Sequence, residues 1–182
     1  MNVGRTLYVK NRTEWRRWLR AHHKTATEIW LIYYKKESGK QRIPYNDAVD
    51  EALCYGWIDS ILKPIDKMKY AQRYSPRRKT SRLSDMNRER VRRLIKAGRM
   101  TKVGLAAIEH TGKGPAKLPD DIVDRLKADA TVWRNFQRFP ASYKRIRLGW
   151  IDAGRERREV FEQRLRYFMK MTAQNKRFGM VQ

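Results

Sequence analysis

Hydrophobic and polar positions along this chain change period several times, and each change predicts a new element. Near the start Trp15, Trp18, Leu19 and His22 recur at i, i+3, i+4 and i+7, the spacing of one helix stripe, with Thr13 as its N-cap. Residues 28–36 are a run of β-branched and aromatic side chains too short for a helix and closed by Ser38-Gly39, which predicts a buried strand. Asn46 opens a helix through Tyr55, with Asp47, Asp50 and Glu51 near its positive end, Val49 and Leu53 inward, and Gly56 at its stop. Trp57–Pro64 and Met68–Tyr74 then alternate as strands, and the short Ile65-Asp66-Lys67 link predicts a hairpin.

After Pro76 the chain turns polar and basic through Arg82, a loop by composition. Ser84 then caps a helix carrying Met86, Val91, Leu94 and Ile95 and ending at Gly98, and Thr101 caps a shorter one with Leu105 and Ile108. Residues 111–117 have the Gly, Pro and Lys content of a linker. Beyond them the period is helical over 120–127, 131–138, 141–152 after Pro140, and a last stretch with Phe161, Leu165, Phe168 and Met169 on one face. The expected fold is α+β: a small antiparallel sheet of about three strands packed with helices over residues 1–112, then a helical subdomain over 118–182. Gly-Trp-Ile-Asp occurs at 56–59 and at 149–152, but the flanks differ, so no repeat is inferred.

Composition changes the picture chiefly through charge. The chain has 182 residues and 43 Lys+Arg against 19 Asp+Glu, a formal +24, so acidic partners are the first suspects. Aromatic residues make up 11%, with Trp at 15, 18, 30, 57, 133 and 150, so the charge does not imply disorder. Residues 63–102 hold 15 Lys or Arg against three acidic residues, half of the excess in 40 positions. Cys54 is the only cysteine, which excludes an internal disulfide and is read as a small buried hydrophobe. Met1–Arg5 lack the long apolar stretch of a secretory signal and no run approaches 18 apolar residues, so a cytoplasmic protein is expected.

Familiar chemistry has little support. The histidines at 22, 23 and 110 and the lone cysteine give no zinc spacing, so no metal and no cofactor are expected, and no Walker loop, dinucleotide-binding fingerprint or nucleophile elbow occurs. His22-His23 is read as a helix end where cations meet the negative dipole. Residues 59–87 are the richest stretch. Trp57, Asp59, Ser60, Arg73, Tyr74, Arg77, Arg78, Ser81 and Asn87 form a candidate anion pocket, because a guanidinium fork binds phosphate or carboxylate bidentately and aromatic faces stack on rings. In the competing structural reading Asp59 pairs with Arg73 across the hairpin while Trp57 and Tyr74 fill the core.

Lys79, Arg82, Arg88, Arg92 and Arg99 form a candidate basic surface, read either as a polyanion-binding face, for nucleic acid or phosphate, or as a solvated one. A protein partner is equally compatible, and oligomeric state is left open. No recognition-helix, RNA-recognition or zinc-finger pattern supports sequence-specific readout. An enzyme with an unfamiliar centre on Asp59, Arg73 and Tyr74 rests on their closeness in sequence alone.

Residues 51–60 (Glu-Ala-Leu-Cys-Tyr-Gly-Trp-Ile-Asp-Ser), residues 70–77 (Tyr-Ala-Gln-Arg-Tyr-Ser-Pro-Arg), Asn87 and Gly98-Arg-Met100 resemble the signature of the YdeI/OmpD-associated family. Residues 118–121, 136–144 and 162–168 resemble that family's small C-terminal helical domain. The resemblance implies protection against bacteriocins or other antimicrobial peptides, without a known reaction. A non-enzymatic protective protein that binds an anionic ligand or partner is therefore the expectation, with non-sequence-specific nucleic-acid binding as the alternative.

Overall fold

The computed structural model describes residues 3–78, 80–81, 83–109 and 118–179. The linker expected at 111–117, His110, and two members of the expected basic surface, Lys79 and Arg82, lie outside the described residues. The chain divides into two compact units, Met1–Arg82 with Arg90–Gly112 and Leu83–Glu89 with Lys113–Gln182, and the division falls inside one helix.

The first unit is built on a four-stranded sheet in the order β1-β2-β4-β3. β2 (Ile29–Tyr34), β3 (Trp57–Pro64) and β4 (Lys69–Pro76) are the expected strands, with β4 antiparallel to both neighbours. β1 (Thr6–Leu7) is an addition: two residues are too few for any period to show, and it pairs parallel to β2. The β3–β4 register slips between Asp59 and Leu62, a bulge in which the Gln72 side-chain amide donates to the Ser60 carbonyl at 3.2 Å.

α1 (Arg12–His22) and α2 (Tyr45–Cys54) flank the sheet elements in sequence, and the cap of α1 lies two residues before the predicted one. Asn11, not Thr13, is the N-cap: its side chain accepts from the Glu14 amide at 3.0 Å, and Glu14 accepts in return from the Lys10 amide at 2.7 Å. Trp15 and Leu19 of α1, Ile29, Leu31 and Tyr33 of β2, Ala48, Ala52 and Leu53 of α2, and Trp57 and Tyr74 are all buried and form this unit's core. Trp15 is fixed there by donating its indole N–H to the Ala48 carbonyl at 3.0 Å, which lets a polar edge enter an apolar core.

Gly56 has φ +73° and reverses the chain between α2 and β3, a conformation that a side chain disfavours. α4 (Lys102–Ala106) closes on the end of α2 through Gly104: a Cβ there would strike the Cys54 carbonyl, whose oxygen already accepts from the Thr101 hydroxyl at 2.5 Å. α3 (Asp85–Lys96) belongs to the first unit from Arg90 onward.

The second unit comprises the start of α3 and the helices α5 (Asp120–Lys127), α6 (Ala130–Arg138), α7 (Ala141–Asp152) and α8 (Arg158–Ala173). Its core gathers Ile122, Leu126, Phe136, Tyr143, Leu148, Leu165 and Phe168, the apolar stripe positions of all four. Asp129 caps α6, accepting from the Thr131 and Val132 amides, both at 2.9 Å. Asn135 closes the other end of the bundle by donating its amide to the Thr172 and Ala173 carbonyls of α8. Among the described residues no helix is long and apolar enough to cross a membrane.

Candidate functional site

The hairpin does not gather the residues that its sequence suggested. Side chains alternate across a strand, so neighbours on β4 face opposite ways. Asp59 is opposite Tyr74 in register and accepts from the Tyr45 hydroxyl at 2.7 Å. That bond, together with burial, pushes the Tyr45 phenol well above its ordinary range, burial being the larger cause. Arg73 points to the other face and pairs with Glu28 at 2.6 Å, so the Asp59–Arg73 pair does not form. Glu28 also accepts from the Trp30 indole at 3.0 Å, and these two contacts, Trp30 first, hold its carboxyl below the usual range.

Trp57 and Tyr74 are buried, with Tyr74 bonded through its hydroxyl to Tyr33 at 3.1 Å, and both serve the core. Ser60 lies exposed in the bulge. Arg77 donates to the Ser81 carbonyl at 2.9 Å, its Nε is buried without a hydrogen-bond partner, and burial pulls its pKa down. Arg78 is exposed and its carbonyl accepts from the Ser81 amide, while Asn87, whose amide donates to the Ser84 hydroxyl, falls in the second unit.

Arg88 and Arg99 of the expected basic surface are engaged with their own neighbourhood. Arg88 donates to the Leu83 carbonyl and approaches Asp85 at 4.0 Å, Arg92 is exposed, and Arg99 is bonded to Glu51. Arg90 and Arg93 of the same helix turn onto Asp50, each at 2.9 Å.

The densest charge in the first unit instead sits on α2. Glu51, expected near the positive end of this helix, is instead completely buried in the last turn of α2, which stops at Cys54; the dipole there is unfavourable to an anion, so it requires cations. Arg12 supplies one at 2.8 Å, Arg16 another at 2.7 Å, and Arg99 a third. One turn earlier, Asp47 takes a second arm of Arg12 at 3.1 Å. Burial works against the Arg16 charge, but the hydrogen bond and charge of Glu51 outweigh it and leave that guanidinium above its ordinary range.

These groups floor a pocket of about 410 Å³ lined by Arg12, Thr13, Arg16, Arg17, Arg20, Glu51, Tyr55 and Arg99. Five arginines thus face one carboxylate. Arg17 and Arg20 are exposed and form no ion pair among the described residues. The Nη2 of Arg12 is buried without a hydrogen-bond partner, 3.7 Å from Asp50. Tyr55 forms one wall, with the Arg16 guanidinium 5.5 Å from its ring centre. Of this set the sequence reading named only Arg99 for binding. The missed signals were the arginines at 12, 16, 17 and 20 beside the apolar stripe of α1, and a carboxylate, Glu51, inside the otherwise apolar end of α2.

Residues 7–107 match the family model described as Domain of unknown function (DUF8412), and residues 115–175 match the one described as Bacteriocin-protection, YdeI or OmpD-Associated. No curated protein and no solved structure matches. The arginine pocket lies on residues of the first match, and the four-helix core on residues of the second, so the chain belongs to the DUF8412 family and carries behind it a segment of the bacteriocin-protection, YdeI or OmpD-associated type.

Proposed function

We propose that this protein serves in bacteriocin protection as a binding protein without catalytic activity, and that it holds a phosphate-bearing ligand in the arginine pocket. One observation carries the reading: five arginines face a single carboxylate, and two of them have no ion pair among the described residues. Glu51 holds Arg12, Arg16 and Arg99 in fixed positions, so their remaining donors are organised before a ligand arrives. An anion there accepts charge-assisted hydrogen bonds that the internal carboxylate leaves unmade. The lining offers donors and a ring face rather than an activated nucleophile, and the nearby Cys54 thiol is buried and pushed up by that burial.

Titration with inorganic pyrophosphate tests this. The Arg17→Ala/Arg20→Ala variant should bind about tenfold more weakly or worse, because each lost charge-assisted bond is worth about 1.5–3 kcal/mol before solvent screening. Its melting temperature should stay unchanged, since both side chains are exposed and form no ion pair among the described residues. Unchanged affinity, or unchanged protection of cells carrying only that variant, would remove the pocket from the function. The formal +24 favours a second reading, non-sequence-specific nucleic-acid binding. A single-stranded oligonucleotide titrated at two salt concentrations distinguishes the two, since a backbone-tracking contact weakens steeply with salt and a single pyrophosphate much less.

A further inference from the structure

The turn end of the β3–β4 hairpin carries an unusual surface. Ile61, Leu62, Ile65 and Met68 are between 38% and 56% exposed within eight consecutive residues, and Lys63, Lys67 and Lys69 are interleaved with them. The one acid of the turn is occupied locally: Asp66 accepts from the Met68 and Lys69 amides at 2.8 and 3.0 Å and lies 3.5 Å from the Lys69 ammonium. Beside the turn a shallow recess of about 560 Å³ is lined by Tyr34, Ser38, Lys40, Asp66, Lys67, Met68 and Lys69. Lys40 and Lys69 both lie over the Tyr34 ring, at 4.5 and 5.9 Å, so their charges are gathered at its mouth.

We propose that this hairpin end docks the protein on an anionic phospholipid bilayer. The aliphatic side chains enter the acyl boundary, and a headgroup phosphate sits in the lysine-edged recess. The combination selects this occupant. Nucleic acid would use the lysines but gains nothing from exposed isoleucine, leucine and methionine, since base stacking needs flat rings. A protein partner needs a complementary surface, whereas fluid lipid accommodates protruding side chains of any shape. Apolar insertion flanked by basic residues is the pattern of interfacial anchoring, in which each lysine near an anionic surface contributes about fivefold in affinity.

The net charge of the whole chain brings it to any anionic surface, so the test must read insertion at this place. An environment-sensitive fluorophore is attached at Ile65→Cys, where the buried Cys54 does not compete for label, and separately at Gln137→Cys on an exposed part of the second unit. Vesicles of equal parts phosphatidylcholine and phosphatidylglycerol should shift the emission to the blue at position 65 only, and pure phosphatidylcholine vesicles should shift neither. In co-flotation, Ile61→Ser/Leu62→Ser/Ile65→Ser/Met68→Ser should reduce binding by about tenfold or more at moderate salt, while Ile65→Trp should strengthen it. Equal shifts at both positions, a shift at 65 with an oligonucleotide instead of vesicles, self-association that depends on the four apolar residues, or flotation of the serine variant at the wild-type level would each overturn the proposal.

Discussion

Replacing Glu51 by Gln isolates the electrostatic centre of the first unit. The change keeps the shape of the side chain and one acceptor oxygen but removes the single negative charge shared by Arg12, Arg16 and Arg99. Removing one partner of a buried pair typically costs about 3–5 kcal/mol, because the other charge is left uncompensated. Here the three arginine side chains keep 28%, 35% and 36% of their surface, so water and counterions recover part of that loss. A destabilisation of about 2 kcal/mol follows, on the order of 10 °C for a unit of this size.

The same substitution should improve the pocket for anions. A unit charge about 6 Å away in a half-exposed site repels a bound anion by about 1–3 kcal/mol, so loss of Glu51 should tighten pyrophosphate binding about tenfold. Ligand at ten times its dissociation constant stabilises the folded state by about 1.4 kcal/mol, which restores most of the deficit. Thermal melts of the wild-type and E51Q proteins across a pyrophosphate series therefore should start far apart and converge. An E51Q melt equal to the wild type, or a gap that pyrophosphate leaves unchanged, would refute both the stabilising role of Glu51 and the vacancy of the arginines for anions.

Other perturbations have equally defined outcomes. Gly104→Ala should destabilise by about 2 kcal/mol or more, measured by urea denaturation, because the new methyl group meets the Cys54 backbone, which cannot move aside as a flexible side chain does. Glu28, held below its ordinary pKa by Trp30 and Arg73, contributes stability above its unfolded value of about 4.3 that is lost as pH falls through the lower folded value. Melting temperatures of Glu28→Gln and wild type should therefore differ at pH 6 to 7 (roughly neutral) and converge in acid, and parallel profiles would exclude the contribution. Phe168→Ala should cost about 3–5 kcal/mol in the second unit through the cavity it leaves, seen as loss of its cooperative unfolding transition.

Local chemistry wrote much of this structure into the sequence. The helices over 120–127 and 141–152 follow the stripe spacing to the residue, and the hairpin strand 57–64 keeps its expected bounds despite the bulge inside it, because these signals depend only on positions a few residues apart. The cap of α1 is legible too, in Asn11 and Glu14 three residues apart, although Thr13 has the side chain of a cap as well. β1 was not, since its two residues gain strand character only from pairing with Trp30 and Leu31. The alternation of β4 implied that Arg73 and Tyr74 face apart, but only the strand register, which sets Asp59 opposite Tyr74, turns Asp59 away from Arg73.

The sequence by itself determined that this chain would be an α+β protein with a helical C-terminal part and a large positive charge. Tertiary structure decided where that charge remains available. Arg12, Arg16 and Arg99 lie 39, 35 and 48 positions from Glu51, and Arg90 lies 40 from Asp50, distances over which no local pattern operates. Coulomb interaction depends on separation in space, so only the packing of α1, α2 and α3 could show that the helix rich in arginine is partly neutralised, while Arg17 and Arg20 form no ion pair among the described residues.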